Sequence, residues 1–326
     1  MKLNCDCYRL RFNYIKFYLC EKLFGLNQKL IIKFPNAISV TIKREDLIHP
    51  FVSGNKFRKL KYNLLQAKEE NQETLLTFGG AYSNHIAAVA FAGKENRFKT
   101  IGIIRGDELR DKIATNPTLQ FAQDCGMQFE FISREEYRLK NQIPFLENLK
   151  QQHGDFYLIP EGGTNELAIK GCQEILTKED AQFNYICCAV GTGGTISGII
   201  NSVLPHQKVL GFPALKGDFL KDEIRSFVTD VPDENWELIT EYHFGGYGKV
   251  NQDLISFINQ FFKNNNIPLD PIYTGKMVFG VIDMIDTNYF LSESKILLIH
   301  TGGIQGIEGM NSKLRSKQLP LIDTYV

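Results

Sequence analysis

In "SGNKFRKLKYNLLQA", which begins at Ser53, the cationic side chains of Lys56, Arg58, Lys59 and Lys61 fall within six positions just after a glycine. Such a run reads as the solvated face of a helix or as a face that carries one reactive amine. Lysine forms Schiff bases with carbonyl compounds, and a buried or electropositive setting lowers its pKa enough to make it nucleophilic. A second segment, "AVGTGGTISGII" from Ala189, passes from a strand pattern through Gly191, Gly193 and Gly194 into a helical pattern. Backbone N–H groups exposed at the positive end of a helix suit a phosphate, and Thr192 and Thr195 add hydroxyl donors. Ile196 occupies the third glycine position of a dinucleotide fingerprint, and no GK[ST] follows, so neither a Rossmann nor a Walker loop is present. A tight turn eased by its glycines is the plainer alternative. In "GGAYSNH" (Gly79 to His85), Ser83 is placed to cap a helix, and Asn84 and His85 fall in its first turn, where an anion or an oxygen could be held; both roles stay open. A lysine, a phosphate loop and a polar helix start suggest a phosphorylated aldehyde cofactor. Pyridoxal phosphate needs those features and a partner for its ring nitrogen. These residues do not by themselves say which lysine reacts.

The elements that must position these loops are legible as short β-branched runs alternating with longer amphipathic ones. "AISVTIK", "TLLTF", "KTIGIIR", "MQFEFIS", "NYICCAV", "KVLGFPA" and "KILLIH" read as strands. The lysine stretch, "SNHIAAVAFAGKE" and "TNPTLQFAQDCG" read as helices between them. Alternation of this kind predicts βαβ units and parallel sheets, and runs as continuously apolar as "YICCAV" suit strands covered on both faces. Ligands in such folds bind beyond the carboxyl ends of the strands, which is where "FGGAYSNH", "VGTGGTISG" and "HTGG" fall.

The 326 residues allow about two domains. Lysine plus arginine equals aspartate plus glutamate at 37 each, so a general electrostatic affinity for nucleic acid or acidic membranes is not expected. Arg9, Arg11, Lys16, Glu21 and Lys22 interrupt the apolar residues at the N-terminus, so no signal-type core forms, and no stretch is long and apolar enough to predict a spanning helix. Seven cysteines without regular spacing (Cys5, Cys7, Cys20, Cys125, Cys172, Cys187 and Cys188) read as reduced thiols of a cytoplasmic protein. Cys5 and Cys7 have no matching pair downstream, and no metal site is expected.

The segments "IKREDLIHPFVSGNKFRKLKYNL", "TFGGAYSNHIAAVA", "IPEGGTNELAIKG", "AVGTGGTISG", "DPIYTGKMVFG" and "LIHTGGIQG" occur in this order from Ile42 onward. In them the chain resembles the pyridoxal-phosphate-dependent family of D-cysteine desulfhydrase and 1-aminocyclopropane-1-carboxylate deaminase. The resemblance implies an α/β enzyme of fold type II, tryptophan synthase β-like, with two domains that each hold a largely parallel sheet. Residues 1–58 plus 168–326 would form the larger, cofactor-binding domain, and 59–167 a smaller inserted domain closing over the site. It makes Lys56 the Schiff-base lysine and leaves Arg58, Lys59 and Lys61 as an ordinary helix face. Asn84 matches the contact to the ring hydroxyl, and Ser83 and His85 match positions beside the substrate carboxylate. Gly191, Thr192, Gly193, Gly194 and Thr195 match the phosphate cup, and Tyr247 and Tyr273 match two active-site tyrosines. For each tyrosine, a hydrogen-bonded core residue is the alternative.

Within the family, cyclopropane deaminases carry a glutamate where this chain has Thr274 and a glutamine where it has His85, and the "HTGG" loop with Thr301 resembles the desulfhydrase side. Thr301, as partner of the ring nitrogen, would make a weaker electron sink than a carboxylate. The implied reaction is β-elimination: Lys56 takes the α-proton of a small amino acid, thiolate leaves, and hydrolysis gives pyruvate and ammonia, with Ser83, Tyr247 and Tyr273 handling protons and orientation. A homodimer is implied as well. Ring opening of 1-aminocyclopropane-1-carboxylate, another β-elimination or racemisation of a D-amino acid, and a non-catalytic phosphate- or nucleotide-binding module are the alternatives.

Overall fold

Strands buried along nearly their whole length require cover on both faces, and the chain meets this requirement twice. The computed structural model describes residues 25–217 and 219–323. It begins with β1 (Leu26–Lys29), β2 (Ser39–Arg44) and α1 (Asn55–Glu69). Then follow β3 (Thr74–Gly79), α2 (Asn84–Asn96), β4 (Lys99–Arg105), α3 (Pro117–Asp124), β5 (Gln128–Ile132), α4 (Arg134–Tyr137), α5 (Ile143–His153) and β6 (Tyr157–Ile159). After α6 (Glu166–Cys172) come β7 (Tyr185–Val190), α7 (Gly194–Ile200), β8 (Lys208–Pro213), α8 (Phe219–Arg225) and β9 (Trp236–Leu238). The last elements are α9 (Gln252–Asn265), α10 (Thr274–Asp286), β10 (Lys295–Ile299) and α11 (Gly306–Arg315).

One sheet has the order β1-β2-β10-β7-β8-β9 and the other β5-β4-β3-β6. The second is parallel throughout; in the first, β1 alone runs antiparallel, at the edge. Alternate side chains of one strand serve opposite cores: in β7, Cys187 and Ala189 enter one apolar cluster, and Ile186, Cys188 and Val190 another. In β3, Leu75 and Leu76 divide in the same way between the two cores of the smaller sheet. The seven strands expected from the sequence are present. β1, β6 and β9 were not anticipated, because strands of three or four residues are too short to display a period. No helix among the described residues is long and apolar enough to cross a membrane, and none of the described residues form a group able to hold a metal. Cys5, Cys7 and Cys20 lie outside the described residues.

Helix α1 buries Phe57, Leu60, Leu64 and Ala67, a spacing that makes one apolar stripe. Its cap is Gly54, at φ 61°, whose missing Cβ would lie 2.0 Å from the carbonyl oxygen of Thr301, so only glycine allows this approach. The basic run on α1 is not a solvated face, and that expectation is corrected here. Arg58 and Lys59 are 3% and 2% exposed, and Lys61 is tied to Glu174 at 2.6 Å. Arg58 donates from Nε to Glu45 Oε2 (2.8 Å) and from Nη2 to Oε1 (3.1 Å), joining α1 to the turn after β2. The acid partners lie far away in sequence, which hid the burial.

A buried pair of this kind is costly to half-remove. Arg58→Met is expected to lower the unfolding free energy by about 3–5 kcal/mol, because it strands a buried carboxylate. The Glu45→Leu/Arg58→Met double variant should recover at least half of that loss, and urea unfolding of the three proteins measures both effects.

Candidate active site

The carboxyl ends of β3, β7 and β10 open onto one cleft of about 450 Å³ between the sheets. From the loop after β3 it receives Ser83, Asn84 and His85; from the loop after β7, Gly191, Thr192, Gly193 and Thr195; from the loop after β10, Thr301. Lys56 enters from the first turn of α1, and Tyr247 and Tyr273 close another side. Gly194 is set just behind the wall, where a Cβ would meet Thr164 and come 3.2 Å from Lys59 Nζ. All the residues anticipated from the sequence therefore converge.

Two amines dominate the electrostatics. Lys56 Nζ donates to the carbonyl of Gly162 (3.1 Å), and Lys59 Nζ donates to the same carbonyl (3.0 Å) and to Thr164 Oγ1 (3.0 Å). Neither amine forms an ion pair with a carboxylate among the described residues. Burial, and then the Lys59 charge, hold Lys56 well below the ordinary lysine pKa. Burial lowers Lys59 as well. That shift favours the neutral form of Lys56, which is the nucleophilic one.

The remaining groups are fixed by their surroundings. Ser83 caps α2, its oxygen accepting from the amides of His85 (3.2 Å) and Ile86 (3.4 Å), and it faces the cleft as well. Thr77 gives its proton to the Ile159 carbonyl (2.8 Å), so His85 Nε2, 2.8 Å from the same hydroxyl, must be the donor. Nδ1 is buried without a hydrogen-bond partner at ordinary range. Burial, then the Lys56 and Lys59 charges, push the His85 pKa well below 6.5. The Tyr273 ring packs against Gly191, where a Cβ would sit 3.2 Å from Cε1, and stands 6.1 Å from the Tyr247 ring, edge to face. Burial, then Tyr247, raise Tyr273 well above the usual phenol pKa.

A family model described as pyridoxal-phosphate dependent enzyme matches residues 31–302. The chain belongs to that family. Its cofactor is pyridoxal 5′-phosphate, and it is an enzyme. The bifunctional D-cysteine desulfhydrase/1-aminocyclopropane-1-carboxylate deaminase of Arabidopsis thaliana, a mitochondrial protein, is 30% identical over 299 residues, covering 84% of this chain and 74% of that one. The D-cysteine desulfhydrase of Serratia proteamaculans is 24% identical over 293 residues, covering 81% of this chain and 86% of its own. Among solved structures, an ACC deaminase homologue has a TM-score of 0.76 at 27% identity, over 90% of this chain and 93% of that one.

The residues of the cleft suit this cofactor. Two amines without a carboxylate partner, Lys59 buried and Lys56 half-buried, call for an anion and a carbonyl. The loop at Gly191–Gly193 is tight, a Cβ there coming 3.2 Å from Tyr273 at Gly191 and 3.1 Å from Ile224 at Gly193. Gly193, at φ 77°, adopts a backbone that β-branched residues avoid. Sequence reasoning missed Lys59, although its i+3 spacing from Lys56 puts both on one helix face. It assigned no site role to "EGGT", which supplies Gly162 and Thr164. Arg105 and Glu161, also in the wall, had no sequence signal; Arg105 lies over the Tyr137 ring, and Glu161 pairs with Lys140 at 3.3 Å.

A histidine held neutral by burial links stability to pH with a definite sign. Below pH 6.5 the unfolded chain takes up a proton that folded His85 refuses, so stability falls as the solution is acidified, by up to about 1.4 kcal/mol per pH unit. His49, lowered to about 4 by burial, adds to the same trend. His85→Gln should therefore reduce the loss between pH 6.5 and 5.5 by about 1 kcal/mol, read from urea unfolding at the two pH values.

Proposed function

We propose that the protein is a pyridoxal-phosphate-dependent lyase that eliminates a β substituent from a small amino acid, in the manner of a D-cysteine desulfhydrase, releasing pyruvate, ammonia and sulfide. The observation that carries this reading is the pair of amines, Lys59 buried and Lys56 half-buried, beside a glycine-rich helix start, with no carboxylate paired to either among the described residues. Lys56 would hold the cofactor aldehyde and move the substrate α-proton, both at Nζ. Lys59, the backbone of Gly191–Gly194 and the hydroxyls of Thr192 and Thr195 would hold the phosphate. Asn84 would meet the ring hydroxyl, and Thr301 the ring nitrogen. The bound cofactor supplies the electron sink for the carbanion at the α carbon. Ser83 and His85, at the amino end of α2, would orient the substrate carboxylate, since helix N-termini favour anions. Tyr247 and Tyr273 are the proton-handling candidates at the leaving-group side.

Elimination is favoured over cyclopropane ring opening by the turn around Tyr273. Thr274 is fully buried, and its hydroxyl donates to Asp270 at 2.6 Å, so no carboxylate or free hydroxyl of that position faces the cleft. Thiolate leaves with little assistance, whereas a carbon leaving group needs a strong electron sink and a placed acid. We also propose the division into 1–58 plus 168–326 and 59–167, supported by the smaller sheet being drawn wholly from residues 74–159. A homodimer in the cytoplasm completes the reading, supported for the compartment by the free thiols of Cys172, Cys187 and Cys188.

Borohydride treatment of the holoenzyme should fix the cofactor on the peptide containing Lys56, and Lys56→Ala should abolish the fixation. Lys59→Met should retain it while weakening cofactor affinity by about tenfold, roughly 1.4 kcal/mol. With the wild-type enzyme, kcat/KM for pyruvate release from D-cysteine or β-chloro-D-alanine should exceed that for 2-oxobutanoate release from 1-aminocyclopropane-1-carboxylate. The reverse order would sink the elimination reading and leave the Lys56 assignment standing.

A further inference from the structure

Lys276 lies in the first turn of α10, three positions after Tyr273, and is 2% exposed. It does not line the cleft, and no carboxylate pairs with it among the described residues. Its Nζ donates instead to two backbone carbonyls, His243 and Gly246, each at 2.9 Å. A buried ammonium is costly, and it persists where its donors are used; burial has drawn this one down to about 8.

Those carbonyls belong to "HFGGYG", the loop between β9 and α9. The loop has positive φ at Phe244 (51°), Gly245 (91°), Gly246 (112°) and Gly248 (64°). Such a glycine-rich backbone loses much entropy when ordered and has few restraints of its own. Its internal bonds are two short turns, Gly246 N to His243 O (3.0 Å) and Lys249 N to Gly246 O (3.2 Å), together with Gly245 N to His243 Nδ1 (2.9 Å). The two turn carbonyls are the ones that Lys276 captures. Tyr247 follows directly and is 47% exposed, so packing alone does not hold its ring against Tyr273.

We propose that Lys276 is a positioning residue, whose ammonium clamps the 243–248 loop to α10 and so holds Tyr247 beside Tyr273 at the cleft. The proposal rests on reading Tyr247 as a site residue. Hydrogen–deuterium exchange tests the clamp without relying on activity. In the wild-type holoenzyme the amides of Gly245, Gly246 and Lys249 should be protected, and in Lys276→Met their exchange should accelerate by at least about tenfold. Exchange at the rate of an unstructured loop in the wild type overturns the proposal, and this arm decides even where Lys276→Met fails to fold. Unchanged exchange in a folded Lys276→Met overturns it too. On activity, Lys276→Met should lower kcat/KM by about tenfold in the wild-type background and by less than about twofold in Tyr247→Ala. An equal loss in both backgrounds means that Lys276 acts elsewhere. Full kcat/KM in Tyr247→Ala alone removes the site role of Tyr247, and the positioning role with it, whatever the exchange shows.

Discussion

Two amines that share one carbonyl set the terms for the rest of this structure. Lys56 and Lys59 both point at Gly162, and Lys59 also reaches Thr164 and, at 3.5 Å, Thr192. Gly162 and Thr164 follow β6 of the smaller sheet, whereas Thr192 follows β7 of the larger one. The hydroxyls of Thr164 and Thr192 are themselves 2.6 Å apart. A single ammonium therefore ties together loops from both sheets. Burial is the main cost to both amines and lowers both lysine pKa values, and the Lys59 charge adds to it at Lys56. On the proposed reading, a phosphate at the neighbouring glycine turn would offset that cost, and cofactor binding would then stabilise the fold.

The approach of the loops is a matter of missing side chains. A Cβ on Gly54 would fall 2.0 Å from the Thr301 carbonyl, one on Gly303 2.8 Å from Asn84 Nδ2, and one on Gly171 2.0 Å from the Arg58 carbonyl. The first brings the turn before Lys56 against the loop after β10, and the second sets that loop against the start of α2. The third packs α6 on α1. The amino end of α1 is held against the β10 loop by backbone contact, and the start of α2 against that loop by the Asn84 side chain.

What the sequence displays and what it conceals follow from the range of the interactions. Strands such as "YICCAV" are legible because a residue and its strand neighbours carry the signal themselves, and the glycine turns are legible because their conformation is local. The fate of Arg58 and Lys59 is not. Their partners are Glu45, 13 residues away, and Gly162, Thr164 and Thr192, more than 100 residues away. A basic run reads the same whether it faces water or a buried acid. Ser83 shows the opposite limit: capping and ligand binding were set against each other, yet the oxygen that accepts from α2 amides also faces the cleft, so the two roles are compatible.

On the proposed reading, the turn that opens α10 bears on the choice between elimination and ring opening. Asp270 accepts from the amides of Ile272, Tyr273 and Thr274 and from the Thr274 hydroxyl. Those bonds consume its acceptor capacity and keep the carboxylate buried behind the cleft lining, and the Tyr273 ring packs against Gly191. Thr274 gives that network both its amide and its hydroxyl, so the side chain is spent inside the turn. On the proposed reading, the threonine is part of the helix start before it is part of the chemistry. The modest acid and electron demand of elimination suits a cleft whose strongest groups are amines.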